Sequence, residues 1–176
     1  KEKQYAEVEK KALSYIETFP NNPALYNLIG ASQNYLGKYN EAIIFFKKTC
    51  DLQPDVAENY INVGTALKDV GKEYEAISYF EKSLNIDPFN ALVLAQTGYL
   101  CIKNFIPDKA KKYLEKAIKL DPKAEFIFNL GEAFRQLGDR KNASRNFLKA
   151  LSLKPDMIQA NYKLALLYQD KKNYKQ

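Results

Sequence analysis

Apolar positions in this chain recur with a helical spacing, and the pattern itself repeats. Tyr26, Ile29, Gly30 and Gln33 share one face of a first segment, and Ala42, Phe46, Thr49 and Cys50 share one face of the next. Tyr60, Val63, Gly64 and Leu67, followed by Ala76, Phe80, Ser83 and Leu84, reproduce both stripes further along. Gly30, Gly64, Gly98 and Gly131 are separated by 34, 34 and 33 residues. Ala42, Ala76, Ala110 and Ala143 keep the same intervals, as do Pro54, Pro88, Pro122 and Pro155. Pro20 extends the series upstream and Ala165 extends it downstream, so the period covers all 176 residues. A fixed period of this length marks a stack of repeated units rather than one closed core.

Each period predicts two antiparallel helices. Gly37, Gly71 and Gly138 stand between the halves, where a left-handed residue ends the first helix. The recurrent proline then stops the second, because its ring fixes φ and drives the preceding residue out of the helical region. Asn22 followed by Pro23 reads as a cap and first-turn pair for the next helix. A glycine in the first helix and an alanine in the second predict a close approach of the pair, with Phe46, Phe80, Leu114 and Phe147 filling the space between. The third unit is one residue short and lacks the turn glycine. There Asn104 is expected to take the left-handed conformation, Pro107 to start the following helix, and Phe105 to be exposed.

These residues resemble the tetratricopeptide repeat, whose pattern is an aromatic, Leu-Gly and Tyr, then Ala, an aromatic and Pro at set intervals. The resemblance implies an all-α, right-handed superhelical α-solenoid of antiparallel helix pairs. The boundaries it suggests are a second helix of a preceding repeat over 1–22 and full repeats over 23–56, 57–90, 91–123 and 124–157. The first helix of a fifth, truncated repeat follows over 158–176, and the whole is read as one continuous domain. Leu164, Leu167 and Tyr168 would present an apolar face without a closing helix. The chain is therefore expected to be an excised piece of a longer array, or one that caps itself by dimerising.

Composition narrows the function classes. The chain contains no His, which removes the usual general base and the commonest metal ligand. No phosphate loop, nucleophile elbow or dinucleotide fingerprint is present, and carboxylates such as Asp51, Glu115 and Glu132 read as solvated helix-surface residues among lysines. We expect no enzymatic activity, no cofactor and no metal. Cys50 and Cys101, 51 residues apart in apolar stretches, read as packed free thiols. No apolar run of membrane-spanning length and no export signal is seen, so a cytoplasmic location is expected. Lys and Arg total 27 against 21 Asp and Glu, and the cluster from Lys109 to Lys123 falls on a second helix. The cluster reads as a solvated outer face, which argues against a nucleic-acid partner, because strand binding wants cations interleaved with stacking aromatics in a groove.

What remains is a concave wall. By resemblance, set positions of each first helix face a groove, and they place Asn27, Ile61, Thr65, Leu92, Tyr99, Phe128, Arg135 and Tyr162 there. A further position carries Asn62, Gln96 and Asn129, similar to the asparagine ladder of O-GlcNAc transferase repeats. Primary amides both donate and accept, so spaced along a groove they pair with the backbone of an extended peptide. Bonding of these amides to neighbouring helices is the other reading of the same positions. The chaperone-tail version of the repeat, a two-carboxylate clamp, matches only at Asn62 when read from the first or second unit. The expected function is a non-catalytic protein–protein interaction scaffold that binds a protein or peptide ligand. The alternatives are the substrate-recognition arm of a larger O-GlcNAc transferase-like enzyme, and a scaffold that self-assembles as a homo-oligomer through uncapped repeat ends.

Overall fold

A computed structural model describes the backbone from Glu2 to Asn173 and the side chains as far as Gln169. Among the described residues there are ten α-helices and no strand. The chain divides into two compact units at Pro88 and Phe89. The first unit holds α1 (Glu2–Thr18), α2 (Pro23–Tyr35), α3 (Tyr39–Leu52), α4 (Ala57–Asp69) and α5 (Glu73–Ile86). The second holds α6 (Ala91–Lys103), α7 (Pro107–Leu120), α8 (Ala124–Gln136), α9 (Arg140–Leu153) and α10 (Ile158–Asn173). The last helix, α10, is described as far as Asn173; the positions after it in the expected span 158–176 lie outside the described residues. No described helix is long and apolar enough to cross a membrane.

Local chemistry sets these boundaries. The Asn22 side chain accepts from the Ala24 amide at 3.0 Å while Pro23 opens α2. Asn90 caps α6 by accepting from Val93, and Asp139 caps α9 by accepting from Asn142. The second helices α3, α5, α7 and α9 stop at Leu52, Ile86, Leu120 and Leu153, two residues before a proline in each case. Gly37, Gly71 and Gly138 all have φ between 74° and 78°. In the third turn, however, it is Phe105, not Asn104, that takes the left-handed conformation, at φ 56°. Phe105 occupies the register of the missing glycine. The turn is held by Phe105 N–H donating to the Ile102 carbonyl and Ile106 N–H donating to Cys101, and the Asn104 side chain donates to the Leu100 carbonyl instead of shaping the turn. Phe105 is 82% exposed, and Pro107 starts α7.

Helices pair in sequence: α2 packs on α3, α4 on α5, α6 on α7 and α8 on α9. The small residues are the points of approach. A Cβ added at Gly30, Gly64, Gly98 or Gly131 would lie 2.6–2.8 Å from Phe46, Phe80, Leu114 or Phe147. Phe80, Leu114 and Phe147 are completely buried, so the ring or branch fills the space the glycine leaves. Each such side chain contributes about 2–3 kcal/mol through removal of apolar area from water. Two polar departures from the repeat pattern are buried with them. Thr97 donates to the Val93 carbonyl one turn back at 2.7 Å, and Gln33 donates to Glu9 at 2.9 Å while its own carbonyl is buried without a partner.

Candidate functional site

In the first unit the expected site residues share the first-helix faces of α2 and α4. Asn27, Ile61, Asn62 and Thr65 are all half-buried. The Asn62 amide does not stand open. Its Nδ2 donates to Asn27 Oδ1 at 3.1 Å, which joins α2 to α4 and satisfies part of both groups. Here the inter-helix role of the amide is the one the structure displays.

The second unit is different. Tyr99 and Ile102 on α6, Phe128, Asn129, Glu125 and Glu132 on α8, Met157 just before α10, and Gln159, Tyr162 and Lys163 in its first turns line a cleft of about 460 Å³. Of the expected residues, the structure brings together Tyr99, Phe128, Asn129 and Tyr162 in this cleft. Leu92 and Gln96 lie on α6 and are exposed, but they do not line it. Arg135 lines a neighbouring cavity instead.

Helical spacing explains the cleft's walls. Tyr99 and Ile102 are three residues apart on α6, as Glu125, Phe128 and Glu132 are three and four apart on α8, so each set projects from one face. Phe128 is half-buried, with its ring 5.5 Å from that of Phe147, and is thereby locked from behind. Met157 is buried against Ile127, Ala150 and Ala160. Tyr99 and Tyr162 are about half and two-thirds exposed, leaving two aromatic faces open to a ligand. The Asn129 amide, half-buried in the same wall, has no hydrogen-bond partner among the described residues.

The polar part of the cleft is built around Glu132. Sequence reading put this carboxylate among solvated surface groups; in the structure it is 8% exposed. It accepts from Arg135 Nε and Nη2 at 3.1–3.3 Å and from Lys163 Nζ, 31 residues away on α10, at 3.1 Å. Burial of a charge is costly unless it is paired and bonded, and two cations meet that need. At the cleft's edge Lys154 Nζ donates to Glu125 at 3.0 Å. This bond, with help from a backbone N–H, holds the Glu125 carboxyl below its usual pKa and the Lys154 ammonium above its own. Both groups are exposed, and the pair orients side chains more than it stabilises the fold.

Ile102, Glu125 and Glu132 belong to the set of inward-facing first-helix positions, but Met157, Gln159 and Lys163 were absent from the expected site. Gln159 and Lys163 sit at the same two register positions as Leu92 and Gln96, so the repeat offset was a usable signal for them. Met157 lies just before α10, in the register of Val56, a position that reads as a turn.

Comparison with known proteins follows this geometry. A family model described as tetratricopeptide repeat matches residues 23–56, 57–90 and 93–123, and a second described as TPR repeat matches 131–172. No curated protein matches the chain significantly by sequence. Solved structures do. The chain is similar to the protein MamA in its crystal structure, with 23% identity, a TM-score of 0.80 and coverage of 88% of this chain and 91% of that one. YrrB, described as "a TPR protein with an unusual peptide-binding site", shares 18% identity at a TM-score of 0.84, covering 92% and 84%. PilF of Pseudomonas aeruginosa shares 21% identity at 0.71, covering 86% and 70%. At these identities the likeness establishes the fold, an all-α repeat solenoid.

Proposed function

This chain belongs to the tetratricopeptide repeat family, and on that premise we propose that it is a non-catalytic scaffold gripping a peptide or protein segment in the cleft between α6, α8 and α10. Tetratricopeptide repeats are generally protein-interaction scaffolds, so the general role comes with the family; the site and ligand are the proposal. The observation that carries it is the cleft's composition. Aromatic and aliphatic side chains (Tyr99, Ile102, Phe128, Met157, Tyr162) line it together with two amides, Gln159 at its edge and the half-buried Asn129 in its wall. Apolar walls with a few fixed polar groups are what a ligand site requires. The walls would take an apolar side chain of the segment, and Asn129 would bond its backbone, which every sequence offers.

The cleft uses preorganised parts. Phe128 is held by Phe147, and Lys163 by Glu132, so little side-chain freedom is lost on binding at those two places. Tyr99 and Tyr162 are the anchors with most to gain, since each still exposes a ring that a ligand would cover. A peptide pool panned on the chain supplies the ligand, and Tyr162→Ala and Asn129→Ala test the site. Each is expected to weaken binding by about tenfold, the effect of about 1.4 kcal/mol, with unchanged helix content by circular dichroism. Tyr162 is mostly exposed and Asn129 only half-buried, so both substitutions are expected to leave the helices folded. Wild-type affinity in both variants would refute the cleft; the same loss from Thr65→Ala in the first unit would place the site elsewhere.

A further inference from the structure

The outer wall of the second unit carries a charge pattern that the repeat itself does not impose. In α7 the fully buried Ala110, Leu114 and Ala117 mark the side that packs inward, and in α9 Ala143, Phe147 and Ala150 mark the same side. At about 100° per residue, Lys112, Lys116 and Lys119 lie half a turn from the first set. Arg145, Lys149 and Ser152 keep the same repeat register on α9 and lie half a turn from the second. All six are exposed, and none of the five cations has an ion-pair or hydrogen-bond partner among the described residues. The six equivalent positions of the first unit are Ile44, Lys48 and Asp51 on α3 with Ser78, Lys82 and Asn85 on α5, two cations and one carboxylate. Asp108 and Glu115 are the only acids of α7 and α9, against five Lys in α7 and four Lys and Arg in α9. The wider field has the same sign. The second unit contains 17 Lys and Arg against 8 Asp and Glu, whereas the first contains 10 against 13.

We infer that this wall docks on an anionic lipid bilayer, with its lysines among the headgroups and its flanking leucines at the interface. Lys112 to Lys119 extend over roughly 10 Å of α7, and the pattern is repeated on α9, so the charge is laid out for a surface and not for a single anionic side chain. Four of the five cations are Lys, compact point charges on flexible stems that follow mobile headgroups without requiring a fixed fork geometry. Leu120, Leu148 and Leu153, 44%, 50% and 54% exposed, flank the cations and supply the apolar contact that interfacial binding adds to charge. A nucleic-acid strand fits less well, because it stacks its bases on open rings, and the aromatics of these two helices, Tyr113 and Phe147, are half-buried and buried. The wall and the peptide cleft are separate sites. The cleft is lined from α6, α8 and α10 and the residue before α10, and no residue of the wall belongs to it, so a segment is held there while the wall is docked.

The test is co-sedimentation of the whole chain with vesicles of phosphatidylcholine alone or with about 30% phosphatidylserine. At about 0.1 M salt the screening length is about 10 Å, so only cations at the bilayer surface contribute strongly. Binding to the anionic vesicles is expected to be at least about tenfold tighter than to the neutral ones and to fall steeply with added salt. A cation held at an anionic surface contributes about fivefold, so Lys112→Gln/Lys116→Gln/Arg145→Gln/Lys149→Gln should weaken binding at least about 25-fold, the effect of two engaged cations. Lys3→Gln/Lys10→Gln/Lys11→Gln/Lys72→Gln, with the same change in net charge on exposed positions of the first unit, should stay within about twofold. Leu148→Gln/Leu153→Gln should lose about fivefold on the anionic vesicles and nothing on soluble polyglutamate or duplex RNA. Circular dichroism checks that every variant keeps its helices. Equal binding to both vesicle types, or a wall variant that binds like its first-unit control, would overturn the inference. Wall-dependent capture of polyglutamate or RNA without capture of vesicles, or a leucine variant that binds vesicles as the wild type does, would overturn the lipid assignment and give the wall to a soluble polyanion.

Discussion

Gly131→Ala tests the packing rule on which every unit is built. A Cβ at this position would lie 2.6 Å from Phe147 Cε1, 2.7 Å from Cδ1 and 3.3 Å from the Ala143 carbonyl oxygen. Carbon atoms rest at about 3.5–4.0 Å, so the ring would have to retreat by roughly 1 Å. It has nowhere to go. Phe147 is fully buried between Ala143 and Leu167 and against Phe128, Phe134 and Leu164. Overpacking of a tight core costs about 1–3 kcal/mol, the upper part of which (about 2–3) applies where the ring has no room to move, and replacing a mid-helix glycine by alanine returns about 0.8–1.0 kcal/mol of helix propensity. A net loss of about 1–2 kcal/mol is expected, seen as a fall of about 0.5–1 M in the urea midpoint by far-UV circular dichroism, for a slope near 2 kcal/mol/M. Phe147→Leu combined with Gly131→Ala should cost less than the two changes summed, by about 1 kcal/mol or more, because the leucine makes room for the methyl. Gly138→Ala is the control. Nothing lies within 4 Å of its added Cβ, and its φ of 77° makes the penalty conformational, so Phe147→Leu should not relieve it. A midpoint for Gly131→Ala equal to or above wild type would refute the argument that ring and glycine are locked together.

Three further outcomes are expected. Phe105→Gly should raise stability by about 0.5–1 kcal/mol, since a left-handed non-glycine residue costs about 1–2 kcal/mol and the added chain entropy of glycine returns only part of it; Phe105→Ala, which keeps a Cβ at φ 56°, should change the denaturation midpoint little. Glu9 accepts from Gln33 and Lys38, and these bonds, Gln33 first, hold its carboxyl below the usual 4.5. A group whose folded pKa is depressed stabilises the fold above its unfolded pKa and stops doing so as pH falls, so thermal unfolding measured from pH 6 to pH 3 should fall less steeply for Glu9→Gln than for the wild type. Burial pushes the Cys50 thiol up to about 11. A disulfide reagent at pH 8 should therefore modify Cys50 slowly in the folded chain and rapidly in urea, and equal rates in the two states would contradict its burial.

Much of the candidate site was legible because a helical period determines which residues share a face. Tyr99, Phe128, Asn129 and Tyr162 were all expected on the inner wall, and all line the cleft. Period alone does not say which members of a face meet. Leu92 and Gln96 share the α6 wall and remain outside the cleft, while the Asn62 amide bonds to Asn27 on the preceding first helix. Glu132 is the sharpest case. Its neighbours in sequence suggest a solvated charge, yet it is buried by packing and paired with a lysine a whole repeat away.

Features governed by rules acting within a few residues followed from the sequence alone. Proline stops, side-chain caps, the recurrent small residue opposite a large one and the all-α repeat architecture each depend on covalent geometry or on contact between adjacent helices. Tertiary structure decided the rest. Phe105 accepts a left-handed backbone because hydrogen bonds to Ile102 and Cys101 close the turn there, overriding the local preference of Asn104. The cleft and the cavity beside it exist only where α6, α8, α9 and α10 of the second unit come together. Their volume and charge are sums over side chains dozens of residues apart, which no local rule of the sequence can contain.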